Sequence, residues 1–333
     1  MDTVPHNPAC YLYGPGDAKF EDSPYPAIDD PYDVIIRIAY VGVCGSDVHF
    51  WTHGGIGSKI TPNNPLIMGH EAAGTVHSIG SSVTTLQPGD RVAIEPGYPC
   101  RRCNRCKSGR YNLCPSMTFA ASPPNSHGTL RKYYKIPADF CYKLPAKTGL
   151  DEGVLVEPLA VAVHVTRQAD IRVGMKVVVF GAGTVGLLCA AVARIMGAGK
   201  IICVDVNASR LELAGRYAGA GTLLPSRSDS AEETAQGIIS GHGLPFEGAD
   251  VVLEATGAEP CIETGIHVLR SGGTFVQAGL GKAKIRFPIV TLSEKELDVK
   301  GSFRDREDWG EGVDYRSRTV RESNESVGEH EEG

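Results

Sequence analysis

The 333-residue sequence is poor in aromatics, 7% in all with two tryptophans, and has no surplus of positive charge: 33 Lys and Arg stand against 39 Asp and Glu, a formal charge of −6. Without a basic surplus there is no electrostatic footprint for nucleic acid or an anionic membrane, so neither is expected as a partner. No secretory leader is expected, because Met1-Asp-Thr-Val-Pro-His-Asn-Pro8 has neither a basic n-region nor an apolar core. The ten cysteines therefore read as reduced thiols of a cytoplasmic protein, where close Cys spacing means metal and not disulfide. The nearest approach to a membrane span is the charge-free run Val177–Ala193, but glycines interrupt it. Its β-branched first half and Ala- and Leu-rich second half predict a buried strand, a tight turn and a buried helix.

What is present is metal-ligand chemistry. Cys100-x2-Cys103-x2-Cys106-x7-Cys114 packs four thiols into fifteen residues, enough to surround one tetrahedral zinc in a closed structural site. An iron–sulfur cluster is the rival, but ferredoxin runs place three residues before the last Cys where this chain has seven. Arg101, Arg102, Arg105 and Lys107 fit either an offset to thiolate charge or a solvated face. A second group, Cys44-Gly-Ser-Asp-Val-His49 followed by Gly69-His70-Glu71, offers too few protein ligands for a closed site and suits a catalytic zinc with an open position. Taken singly, His49, His70, Cys44 and Glu71 are each as consistent with ordinary packing or surface roles. Next to the four-cysteine lobe they read together as ligands. Cys10, Cys141, Cys189, Cys203 and Cys261 stand alone in apolar or turn contexts and are expected as core thiols; the remaining histidines, His53 among them, have no partner spacing.

Gly181-Ala-Gly183-Thr-Val-Gly186 is weak as an isolated glycine pattern. Here it follows the strand Val177–Val179, precedes a helix, and is succeeded by a second strand, Ile201–Val204, ending in Asp205. In that context the glycines let the backbone approach a pyrophosphate, and Asp205 would accept from ribose hydroxyls and repel a 2′-phosphate, favouring NAD over NADP. Asp205 could also merely end its strand. Val185, Arg210 and Thr256 are further candidates around the cofactor. More strands are predicted near Gly221–Leu224, Asp250–Glu254, Gly273–Ala278 and Leu297–Gly301, with helices near Ser209–Ala218, Glu232–Ser240 and Pro260–Arg270, which completes a doubly wound α/β sheet. Before residue 157 the texture is different: short β-rich runs such as Asp33–Tyr40, Ala73–Ser78 and Arg91–Glu95 alternate with Gly, Pro and Asn, without a long amphipathic helix. Three segments are expected: an irregular β domain over 1–157 with a metal lobe at about 96–115, a nucleotide domain over 158–303, and a charged tail over 304–333.

In order and spacing these motifs, with Glu157-Pro-Leu159, resemble the zinc-dependent medium-chain dehydrogenases, and within them the polyol dehydrogenases that act on xylitol and sorbitol. The resemblance covers about residues 10–304. It implies a GroES-like catalytic domain joined to a Rossmann domain, two zinc ions per chain, NAD, and a polyol or ketose substrate. It also implies a homodimer or homotetramer paired through roughly Ala283–Val290 and Leu297–Gly301. By the same resemblance Cys44, His70 and Glu71 ligate the catalytic zinc and Glu157 does so directly or through its water. Asp47 then orients His70, Ser46 and His49 relay a proton, and Phe50, Phe119 and Arg304 border the substrate. The family's reaction is oxidation of a polyol to a ketose, xylitol first, with sorbitol or L-arabinitol as alternatives. Past Arg304 this chain departs from its relatives: half of the last thirty residues are charged and no core-forming pattern remains, so disorder is expected there. A truncated protein that binds zinc and NAD without turnover is the competing expectation.

Overall fold

The computed structural model describes residues 6–56, 58–123 and 126–304. The chain divides into two compact units between Glu157 and Pro158. The segment 305–333, expected to be a disordered tail, lies outside the described residues.

In the first unit β1 (Asn7–Gly14) and β2 (Asp17–Ser23) form an antiparallel hairpin, and the short strand Leu66–Ile67 pairs with β1 on its other side. The five strands β3 (Asp33–Gly42), β4 (Glu71–Ile79), β5 (Arg91–Ile94), β6 (Tyr133–Pro137) and β7 (Cys141–Lys143) make an antiparallel sheet in the order β6-β3-β4-β5-β7. Alternate positions, Val34 and Ile36, Val92 and Ile94, Tyr134 and Ile136, enter one apolar cluster, the two-residue period of a sheet with one face covered.

Between β3 and β4 runs α1 (Gly45–His53), a nine-residue helix that the sequence pattern did not announce because it has no apolar stripe. Its start is fixed locally: the Cys44 N–H donates to Asp47 Oδ2 at 3.0 Å, and the Asp47 charge sits in the first turn, where the helix dipole favours it. Its end is fixed by Gly54, left-handed at φ 78°, whose N–H donates to the Phe50 carbonyl at 2.8 Å. Phe50 is the one buried side chain of α1 and packs with Leu12, Ile60, Leu66, Met68 and Ala121.

The second unit is a parallel sheet of β8 (Lys176–Phe180), β9 (Lys200–Val204), β10 (Gly221–Leu223), β11 (Ala249–Glu254), β12 (Leu269–Gln277) and β13 (Asp298–Gly301). The order is β10-β9-β8-β11-β12-β13, the doubly wound arrangement that reverses beside β8. α2 (Val156–Gln168) precedes it, and α3 (Thr184–Ile195), α4 (Ala208–Ala218), α5 (Ala231–Gly241) and α6 (Glu259–Val268) alternate with the strands. Val177 and Val179 join one core cluster while Val178 and Phe180 join the other, so β8 is covered on both faces. The charge-free run Val177–Ala193 is thus strand, turn and helix, and no helix among the described residues is long and apolar enough to cross a membrane. The predicted helix Pro260–Arg270 stops at Val268, because Leu269 pairs with Ala249 across a bulge and lengthens β12 backwards.

Candidate functional site

Cys44, His70 and Glu71 come together although the first and second lie twenty-six positions apart in the sequence. Each offers a ligand atom, and the three lie within 4.8 Å of one another. Cys44 stands at the head of α1, and His70 and Glu71 at the start of β4, which pairs Glu71 with Gly42 of β3. That pairing explains Gly42, which sequence reasoning passed over: a Cβ there would lie 2.2 Å from Glu71 Oε2. A glycine inside a strand was the available signal, since it marks close approach of another group. Gly69 before the pair is left-handed at φ 88°.

The surroundings favour an incoming cation. Burial pushes the Cys44 thiol up, against the Ser46 hydroxyl and backbone N–H that point at the sulfur. Burial likewise raises the Glu71 carboxyl, against the pull of His70. Two buried donors and the partly buried Cys44, clustered without a fourth among the described residues, are the donor set of an open zinc site, and a divalent ion there would hold both groups deprotonated. Asp47 Oδ1 lies 3.9 Å from His70 Nδ1 while accepting from the Gly69 N–H at 3.3 Å, so one carboxylate spans the helix start and the His70 turn. The Phe119 ring lies 5.7 Å from the His70 ring, centroid to centroid. Phe50 packs into the core cluster under α1, and His49 is exposed on α1. Glu157 is buried in the first turn of α2 but stands outside the group of three, so direct ligation is not what this geometry shows.

Cys100, Cys103, Cys106 and Cys114 form the second cluster. Their recorded Sγ separations are 3.4 Å (Cys103 to Cys106) and 3.9 Å (Cys100 to Cys106 and Cys103 to Cys114). Zinc–sulfur bonds of 2.3 Å in a tetrahedron place sulfurs about 3.8 Å apart, so the four thiols fit the ion. Backbone N–H groups of Arg102 and Cys103 draw the Cys100 thiol down to about 6, whereas burial and neighbouring thiols push Cys106 up to about 12. Arg101 does not face the thiolates with its side chain: it pairs with Asp139 at 2.7 Å and lies over the Phe140 ring. Behind the lobe the buried Glu95 accepts from the hydroxyls of Tyr111 at 2.7 Å and Tyr142 at 2.9 Å, tying the loop before Cys114 to the sheet. Of the isolated cysteines, Cys141, Cys189 and Cys203 are buried, and Cys10 and Cys261 are partly so.

In the second unit the three glycines have different reasons. At Gly186 a Cβ would meet the Gly181 carbonyl at 1.9 Å, so glycine there lets α3 pack on the turn. Gly181 is left-handed at φ 96°. A Cβ on Gly183 would meet nothing within 4 Å, so the space beside it, at the head of α3, is open to a ligand, as a pyrophosphate site requires. Val185 is partly buried against the core cluster below. Asp205 is already engaged within the protein: Oδ2 accepts from the Ala182 N–H at 2.7 Å, Oδ1 from the Asn207 N–H at 2.8 Å, and Arg210 Nη1 stands 3.9 Å away. Glu254, read from sequence only as the end of a strand, is fully buried; it accepts from the N–H groups of Thr256 and Gly257, each at 2.8 Å, from Gln277 Nε2 at 2.6 Å and from the Thr256 hydroxyl. It thereby fixes the 255–257 turn. Arg304 lies over the Phe303 ring at 4.7 Å.

Comparison with known proteins matches both units. Residues 30–146 fit the alcohol dehydrogenase GroES-like domain, and residues 184–317 fit the zinc-binding dehydrogenase domain. Probable D-xylulose reductase A of Aspergillus clavatus is 54% identical over 314 residues, 94% of this chain and 85% of that protein. D-xylulose reductase A of Aspergillus niger is 53% identical over 316 residues, 95% of this chain and 86% of that one. Among solved structures, L-idonate 5-dehydrogenase of Escherichia coli superposes with a TM-score of 0.83 at 30% identity, covering 93% of this chain and 86% of its own. With two domain matches in order, and more than half of its residues shared with relatives over most of its length, the chain belongs to the zinc-binding medium-chain polyol dehydrogenase family.

Proposed function

We propose that this protein interconverts xylitol and D-xylulose with NAD, using Cys44, His70 and Glu71 to hold a catalytic zinc and Cys100, Cys103, Cys106 and Cys114 to hold a structural one. The observation that carries the reading is the three-donor cluster, one donor short of a closed zinc site, in a chain 54% identical over 314 residues to a probable D-xylulose reductase.

Zinc bound there supplies a Lewis acid that brings the hydroxyl pKa toward neutrality. The protein's residues do the rest. Asp47, 3.9 Å from His70 Nδ1, would orient that ring by its charge, and Glu157, outside the group of three, would reach a bound ion through a water. Ser46, whose hydroxyl points at Cys44, takes the substrate proton and passes it to the exposed His49 and on to solvent. Phe119 walls the substrate beside His70, with Phe50 behind it in the core cluster under α1. The space beside Gly183 receives the pyrophosphate, and the Thr256 turn lies at the carboxyl edge of the sheet, where such folds place a nicotinamide. Asp205 disfavours a 2′-phosphate, and Arg210 Nη1 stands 3.9 Å from that carboxylate.

The oligomeric reading is a homodimer or homotetramer through the edge of the second unit, supported by exposed Leu280, Ile289, Val290 and Val299 along and before edge strand β13. A cytoplasmic location is supported by free cysteines, five of which must remain thiolates to hold the two zincs. The deciding experiment follows NADH formation by the zinc-replete protein with xylitol, sorbitol and L-arabinitol at mildly alkaline pH. Xylitol turnover that Cys44→Ser abolishes is the expected result. Two bound zincs and bound NADH without oxidation of any polyol would replace this reading with that of a binding protein.

A further inference from the structure

Helix α1 carries a second pair of potential metal ligands that the reaction does not use as a pair. His49 and His53 are four residues apart and hence on one helix face, the spacing at which two imidazoles on a helix share a metal. Both are exposed, and their rings already lie face to face, centroids 4.5 Å apart and planes 27° from parallel. Two zinc–nitrogen bonds of 2.0–2.1 Å at a tetrahedral angle set the nitrogens about 3.4 Å apart, a span these rings reach once side-chain rotation turns their nitrogen edges from the stacked arrangement toward one ion.

A second observation points the same way. Thr52 Oγ1 stands 2.9 Å from the Val48 carbonyl, 3.3 Å from the His49 carbonyl and 2.6 Å from His53 Nδ1, so a hydroxyl that gives its one proton to a carbonyl accepts from Nδ1. In that arrangement the proton of neutral His53 sits on Nδ1 and Nε2 is bare, the tautomer a metal needs. The platform is firm, since the Gly54 cap closes the last turn and buried Phe50 pins the helix between the two histidines.

We propose that His49 and His53 form a third, weaker site for a divalent transition ion such as Zn²⁺, completed by water, and that its occupation switches the enzyme off. An ion on His49 takes the lone pair that would otherwise accept the relayed proton. The switching half rests on the relay given above under the proposed function; the metal site does not.

The test uses zinc-loaded protein dialysed against graded Zn²⁺, with metal counted per chain and the initial rate measured on the same samples. The wild-type chain is expected to take up a third equivalent and lose at least about ten-fold in rate as it fills. His53→Gln should keep two equivalents and its uninhibited rate, and need at least about ten-fold more zinc for inhibition. Thr52→Val, which retains both imidazoles and removes the tautomer-fixing acceptor, should weaken the third equivalent several-fold. Equal metal counts in wild type and His53→Gln overturn the site. A third equivalent lost in His53→Gln with unchanged zinc sensitivity overturns the switch. Because the count does not depend on turnover, a chain that binds a third zinc yet oxidises no polyol counts against the proposed reaction and still supports the site.

Discussion

The two donor clusters of the first unit are built on opposite plans. Cys100, Cys103, Cys106 and Cys114 come from fifteen consecutive residues, partly exposed, with their own backbone N–H groups aimed at the sulfurs. Cys44, His70 and Glu71 come from a helix head and a strand start, are more deeply placed, and depend on a glycine in a neighbouring strand for room. The local cluster is complete in itself and so can only hold. The dispersed one is short of a donor, and its shape is set by tertiary contacts, which is what leaves a place for substrate.

The largest effect that would break this contrast is expected at Cys44→Ser: loss of turnover by at least about a thousand-fold with the thermal midpoint nearly unchanged, read by NADH formation beside calorimetry. Cys103→Ser should do the reverse first, lowering the midpoint by roughly 10 °C and releasing the structural zinc, because a closed site contributes folding energy directly. If the two variants gave the same pattern, the division of labour would be wrong. Gly42→Ala should cost about 1–3 kcal/mol by forcing its new methyl against Glu71, and should weaken the catalytic zinc alone; metal analysis after mild chelation reads this. Asp47→Asn should lower affinity for that same zinc about 10–100-fold, leaving the lobe filled.

The smallest effect belongs to a contact near neither cluster. Lys143, 2.8 Å from Asp90, together with the Gln87 N–H, holds the Asp90 carboxyl below its usual range. A depressed carboxylate adds stability above its unfolded pKa and loses it as pH falls through the folded value. Lys143→Ala should therefore cost no more than about 1 kcal/mol at neutral pH, and the difference from wild type should vanish in acid, as denaturant midpoints at several pH values would show.

Legibility in the sequence followed the same divide. The four-cysteine lobe, the glycine turn and the alternation of strands and helices around Val177–Gly301 are local patterns, and residue spacing carries them. Cys44, His70 and Glu71 needed their neighbours and a family resemblance, since no local rule brings residue 44 to residue 70. Three features were not legible at all. Gly42 matters only because β3 pairs with β4, Glu254 only because Gln277 and the following turn fold back onto it, and His53 only because its ring stacks on that of His49. Each is a property of contacts made after the chain has folded. Phe50 illustrates a related difficulty: it sits three places past Asp47 in a chemically loaded helix, and its ring goes to packing.

The bond from the Ala182 amide to Asp205 has a consequence for anyone wishing to redirect this protein to the phosphorylated dinucleotide. Removing the carboxylate to admit an extra phosphate would also unfasten the tip of the glycine turn from the strand beside it. A successful redesign has to supply a replacement acceptor as well as a cation, so a single exchange at Asp205 should trade discrimination for a looser grip on both coenzymes.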